Sequence, residues 1–396
     1  MIIIIGAGIS GLYLGHLLKK SGKDFLIIEK DSRYGGRVHV DEFEGESVVL
    51  GAGIGRLKKD KTLYDLCKSL SAPVHTYTST ISRIFSTGVK RNNENNENKF
   101  LKELDRLTRK SKSLTPHQRS TTTFLEYLKQ NCDNPYDFIK LSGYTDYINA
   151  DIIDTIDDYG FDDVTSGYTG FSIEWDSLID NLYQELSDNV RLSESVISHN
   201  KTDKIIRTEK GIYHYDKLVC STPVSVTRTL FPEIRILQDL NCQPFSRIFA
   251  RIGEGRAEMA ETIKNFTIVD SYLQKIIPVD TKKGIYMIGY NDNQDADEAF
   301  IDFTTLTETQ LYDKISSELK RIFKFDVAVQ FAKIAYWPDG TTYYKPLPIS
   351  FRDREEWLEK ARNPVDNIYF VGEGFSRNQG WVQGSLESVD AIYNSL

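Results

Sequence analysis

The chain has 396 residues, 40% of them hydrophobic and 12% aromatic, which is room for two domains and ordinary core-forming content. Its net charge of −8, with no Lys/Arg cluster forming a basic face, argues against a nucleic-acid partner. The four cysteines (Cys67, Cys132, Cys220, Cys242) stand far apart without CxxC or metal-ligand spacing, so reduced thiols of an intracellular protein are expected and neither a disulfide frame nor a metal site.

The first thirty residues, ending in "IIIIGAGISGLYLGHLLKKSGKDFLIIEK", read as a buried strand, a glycine turn, an amphipathic helix and a second strand. The run Ile2–Ile5 is continuous and β-branched, as a central parallel strand should be. Gly6, Gly8 and Gly11 fit G-x-G-x-x-G: one glycine for the tight turn, one for close approach of a pyrophosphate, one for helix–strand packing. The helix start offers free N–H groups to the phosphate. Glu29, with Lys30 beside it, follows 18 residues after Gly11, where an acid can accept from adenosine ribose hydroxyls. The N-terminus lacks the basic residues of a signal peptide, and no run of about 18 apolar residues occurs, so a soluble, cytoplasmic protein without a membrane anchor is expected. Residues 91–100, "RNNENNENKF", are read as a mobile surface loop.

Just past the acid comes "RYGGRV", in which Gly36 and Arg37 complete a Gly-Gly-Arg. With the glycine turn and the acid, this stretch resembles the flavin-dependent amine oxidase family, which includes monoamine, polyamine and L-amino-acid oxidases. Further resemblances lie in "VVLGAGIGRLKK", whose Gly53 and Ile54 would lie over a flavin, and in "VRLSESVISHN", whose Val196 would touch adenine through its backbone. "YDKLVCSTPVSVTRTLF", "QPFSRIFARI" and the closing "IYFVGEGFSRNQGWVQGSLESVDAIYNSL" match further blocks. The resemblance implies a Rossmann-like α/β FAD-binding domain, discontinuous over 1–78, 166–240 and 345–396, and a substrate domain of mixed sheet and helices over 79–165 and 241–344. It implies FAD bound without a covalent link, since Thr and Tyr stand where some relatives carry a cysteine. Gly372 and Glu373 would serve the ribityl chain, and Trp381 and Val382 would open a helix facing the flavin ring.

The implied chemistry is transfer of a hydride from the carbon next to an amine nitrogen to flavin N5. The products are an imine, which hydrolyses to aldehyde or keto acid, and hydrogen peroxide. The partners would be a small amine or amino acid and molecular oxygen. Trp381 and Tyr344, with Tyr343 as the fallback, would form facing aromatic walls able to hold an amine cation. Trp337 would stack near the ring, and Arg56 could clamp a substrate carboxylate. Arg247 stands where relatives carry a lysine; arginine stays charged and cannot act as a base. That departure keeps open a flavoprotein without amine oxidation. Isomerases of nucleotide sugars share the Gly-Gly-Arg motif, but the basic residues a diphosphate needs are not evident. The acidic stretches "YINADIIDTIDDYGFDD" and "DNQDADEAFID" suit a polycation or, more simply, wet surface.

Overall fold

The computed structural model describes residues 1–85, 93–159 and 161–396. The isoleucine run forms β1 (Ile2–Ile5), with Ile3 and Ile4 fully buried, and the glycine turn leads into α1 (Ile9–Lys20). With β2 (Phe25–Ile28), β3 (Val190–Arg191), β4 (Lys217–Cys220) and β5 (Ile368–Phe370), β1 makes a five-stranded sheet of order β5–β4–β1–β2–β3. Every pairing in it is parallel. Strands drawn from the start, middle and end of the chain therefore share one sheet. The last helix, α2 (Val382–Tyr393), packs on α1, and Tyr13 donates to Asp390 across them at 2.9 Å. Burial and that carboxylate raise the Tyr13 phenol above its ordinary range.

A second sheet has six strands in the order Val329–Tyr344, Leu240–Ile252, Ile285–Asp292, Lys275–Asp280, Phe266–Val269, Ile81–Ile84. Its pairings are antiparallel except the last, and the register sets Arg247 opposite Tyr290 on one side and Ala335 on the other. Helices between Asn93 and Ser142 pack an aromatic cluster of Phe100, Phe124, Phe138, Tyr147 and Phe161 beside this sheet. A π-helical turn, Thr155–Tyr159, follows. Such turns are rare and concentrate at functional sites.

Two expectations fail here. The polar run at 91–100 is helical from Asn93 on, because buried Asn96, Phe100 and Leu107 give Asn93–Ser111 an inward stripe; residues 91 and 92 lie outside the described residues. The acidic stretches are wet surface only in part, with Asp157, Asp297 and Glu298 exposed. Asp146, Asp151, Asp154 and Asp292 are buried, satisfied by Tyr343, Arg119, Arg354, Lys275 and backbone donors. The four cysteines are free thiols, and no helix among the described residues is long and apolar enough to cross a membrane.

Candidate active site

Because the first sheet is wholly parallel, the segments leaving β1, β2, β4 and β5 emerge along one edge, where ligands bind in such sheets. Gly6 follows β1, Glu29 follows β2, Ser221 follows β4 and Gly372 follows β5. Both helices that start there lack a side-chain cap: α1 begins after Gly8 and α2 after Trp381. Their first N–H groups thus remain as donors. A Cβ on Gly11 would collide with the Gly6 carbonyl, so only glycine lets α1 approach β1 this closely. A Cβ on Gly8 or Gly372 would meet nothing within 4 Å, so these two backbones border open space. Glu29 accepts from the N–H groups of Ala7 (2.8 Å) and Asp31 (2.9 Å), which holds it beside the turn with lone pairs to spare. Its carbonyl accepts from Glu194 at 2.8 Å, drawing the strand Val196–Asn200 toward it, and Val196 is half-buried. Lys30 is exposed. Gly36 lies against Gly8. Two uncapped helix ends, two open glycines and an oriented carboxylate on one edge fit a dinucleotide.

Arg37 bridges head and tail. Its Nη1 donates to Glu373 at 3.0 Å and to the Gly340 carbonyl at 2.7 Å. Glu373, buried, also accepts from the Gly380 N–H at 3.0 Å and so holds the turn before α2. Arg37 thereby orients Glu373.

The aromatic positions sort by strand alternation. Tyr343 and Tyr344 are adjacent in one strand, so their rings leave opposite faces. Tyr344 sinks into the core against Trp357 and donates to the Ser376 carbonyl at 2.5 Å, beneath the Arg354 guanidinium. The expected wall at Tyr344 is thus ruled out by burial on the wrong face. Tyr343 occupies the other face: its hydroxyl would touch a Cβ on Gly380 at 2.7 Å, next to Trp381, and donates to Asp146 at 2.8 Å. Trp381 is half-buried with the Arg56 guanidinium stacked 3.9 Å over its ring. Arg56 turns its Nε–Nη2 edge to buried Asp60 and also reaches Asn378 at 3.1 Å, so the edge a carboxylate clamp needs is engaged. Trp337 donates to the Leu50 carbonyl at 2.9 Å with Arg33 over its ring. Arg247 donates to the Val49 carbonyl at 2.6 Å and lies over Tyr290; a Cβ on Gly53 would sit 3.0 Å from its Nη2. Ile54, half-buried, opens the next strand, Ile54–Arg56. Arg247 is buried, ion-paired with no carboxylate among the described residues, and its Nε lacks a partner. Burial pulls its pKa down from the ordinary value, with Tyr290 acting in the opposite direction.

Sequence reading missed a group beyond these walls. Asp146 accepts from Tyr343 and, at 3.2 Å, from Tyr159 of the π-helical turn. Desolvation and the nearby Asp292 push its carboxyl up to about 8, against opposing effects of Lys275 and the two phenols. Lys275 is fully buried, 3.3 Å from Asp292, with its ammonium over the rings of Tyr144 (3.6 Å) and Tyr290 (4.6 Å). Interleaved Tyr and Asp between 144 and 163 is the sequence signal for this group, but it has no helical or strand period. Among the described residues no set of His, Cys, Asp and Glu is arranged to hold a metal ion.

Residues 9–388 match the family model described as flavin containing amine oxidoreductase. Polyamine oxidase 6 of Oryza sativa subsp. japonica is 23% identical over 99% of this chain and 90% of its own length. The flavin-dependent L-tryptophan oxidase RebO of Lentzea aerocolonigenes is 22% identical over 100% and 97%. Putrescine oxidase, solved as the wild type bound to putrescine, superposes with a TM-score of 0.75 at 13% identity, covering 100% of this chain and 98% of that one, which establishes the shared fold. With a single family model spanning the chain from the glycine turn to α2, this protein belongs to the flavin-containing amine oxidoreductases, enzymes whose cofactor is FAD.

Proposed function

We propose that the protein is an oxidase that converts a small amine to its imine, with molecular oxygen reduced to hydrogen peroxide. The observation that carries this reading is the coincidence of two features at one point of the chain. The uncapped start of α2, suited to a cofactor's electron-rich edge, begins at Trp381, and Tyr343 brings a second ring to the same turn.

In this reading the Gly6–Gly11 turn and the start of α1 hold the diphosphate, and Glu29 takes the ribose hydroxyls. Glu373, oriented by Arg37, serves the ribityl chain, and the first N–H groups of α2, Val382's among them, serve the flavin. Bound FAD supplies the acceptor for the electrons of the C–H bond. The protein's own residues position and exclude. Trp381 and Tyr343 confine the amine, Arg56 fixes the Trp381 ring by stacking, and Asp146 fixes the Tyr343 hydroxyl. Arg247 contributes a buried positive charge beside Gly53, which favours an anion there. In this reading FAD is held without a covalent link, so acid precipitation should leave yellow flavin in the supernatant.

The test is anaerobic mixing of the purified yellow protein with a panel of monoamines, diamines and amino acids while flavin absorbance is followed. Bleaching by an amine supports the reading. A panel without bleaching sinks it and leaves a flavoprotein that does not oxidise amines.

A further inference from the structure

The π-helical turn sets two neighbouring residues to different partners. Tyr159 donates to Asp146 at 3.2 Å, and Asp158 pairs with Arg377 at 2.8 Å. Buried Asp146 also accepts from Tyr343 at 2.8 Å, and the Tyr343 hydroxyl reaches the Gly380 turn beside Trp381. A cavity of about 10 Å³, at the lower limit of room for one water, has Tyr343, Tyr159, Asp158 and Arg377 in its wall. Asp158 and Arg377 keep 18% and 36% of their side chains accessible, so they carry that wall to the surface. A line of hydroxyls and carboxylates therefore runs from the turn at Trp381, through Asp146, to solvent.

Amine oxidation gives such a line a task. An alkylamine has a pKa of about 10 and arrives as an ammonium, yet the nitrogen beside the oxidised carbon must be neutral to release electrons. A carboxylate of ordinary pKa is too weak a base to take that proton. Asp146 is stronger: desolvation and then Asp292 push it up to about 8, against Lys275, Tyr343 and Tyr159. Asp158 is pushed up to about 7 by desolvation and then by Asp154 and Asp157, with Arg377 opposing. The two carboxyls thus stand in falling order between the ammonium and water.

We propose that Tyr343, Asp146, Tyr159 and Asp158 form a proton route from the substrate nitrogen to solvent. This rests on the oxidase reading above and adds to it the groups that neutralise the substrate. An N–H bond of the ammonium breaks and an O–H bond forms on Asp146, the Tyr343 hydroxyl accepting one proton while passing on its own. Asp146 then donates to the Tyr159 oxygen as Tyr159 gives its proton across the cavity to Asp158, which loses it to solvent. Both phenols end neutral, and no electrons move in these steps.

The test follows flavin bleaching and proton release together. FAD-loaded protein is mixed anaerobically with butylamine, 1,4-diaminobutane or L-phenylalanine in weakly buffered solution containing a pH-indicator dye. In the wild type one proton should appear per flavin bleached, without a lag, and the bleaching rate should rise with pH through about 8. Asp146→Asn should bleach about 100-fold more slowly and lose that inflection. In Tyr159→Phe and Asp158→Asn the proton should lag the bleaching by about tenfold, the scale of one lost hydrogen-bonded step, and kcat in air should fall with it. Proton release without a lag in both of these variants overturns the route, and so does a wild-type pH profile in Asp146→Asn; the oxidase reading survives either result. No bleaching by any of the three amines sinks the oxidase reading and the route with it.

Discussion

At Tyr343 and Tyr344 a one-residue step decides between lying beside Trp381 and packing in the core. Tyr344→Phe removes a buried hydrogen bond to the Ser376 carbonyl and leaves that acceptor short of a partner. It should cost about 1–2 kcal/mol of stability in a denaturant titration while kcat/KM changes little. Tyr343→Phe frees Asp146 from one donor beside Trp381 and should instead raise KM for the amine; equal kinetic effects of the two variants would contradict the assignment. Arg247 makes a sharper case. Its charge is buried with one carbonyl partner and no carboxylate. Arg247→Met should slow anaerobic flavin reduction by about tenfold or more, the scale of one charge-assisted hydrogen bond. An unchanged reduction rate would remove Arg247 from the site.

At the scale of elements, the glycine turn and α1 separate two demands that look alike in the motif. Gly11 is required by the fold, because any side chain there strikes the Gly6 carbonyl. Gly11→Ala should lower the melting temperature even of FAD-free protein. Gly8 has extended backbone and nothing within 4 Å of where its Cβ would lie, so Gly8→Val should fold with little loss. The same variant should weaken FAD binding strongly in a fluorescence titration, since the valine occupies the approach to the start of α1. Full FAD affinity in Gly8→Val would mean that the diphosphate lies elsewhere. The π-helical turn shows a parallel economy: five residues set Tyr159 on Asp146 and Asp158 against Arg377, whose Nη2 is 2.8 Å away.

The whole molecule should carry the mark of its buried acids in its stability. Asp146 is pushed up to about 8, first by desolvation and then by Asp292; Asp158 is pushed up to about 7, also by desolvation first. Both values lie above the ordinary carboxylate range near 4. Between about pH 4 and 8 the unfolded chain has therefore released protons that the folded chain keeps. With fewer protons bound in the unfolded state, the slope of unfolding free energy with pH is negative, so these two groups make the protein less stable as pH rises through that window. Asp146→Asn should flatten the decline between pH 5 and 8 in melting curves. A decline as steep as that of the wild type would mean that Asp146 is ionised throughout.

The sequence by itself determined the dinucleotide half of this protein. An uninterrupted Ile2–Ile5 strand, three spaced glycines and Glu29 are local features, and their placement follows from backbone sterics and helix-end chemistry that need no distant partner. Gly372, Glu373 and Trp381 were legible for the same reason, as a strand–turn–helix read within thirty residues. The tertiary structure alone decided the rest. Whether Tyr343 or Tyr344 faces the site depends on the register of the strand Val329–Tyr344 against Leu240–Ile252, which no local pattern states. The set of buried Asp146 and Lys275 with half-buried Asp163 and Tyr290 joins segments more than a hundred residues apart, and in sequence its carboxylates look like solvated surface. Burial makes them costly to ionise, and burial is a property of the packed chain.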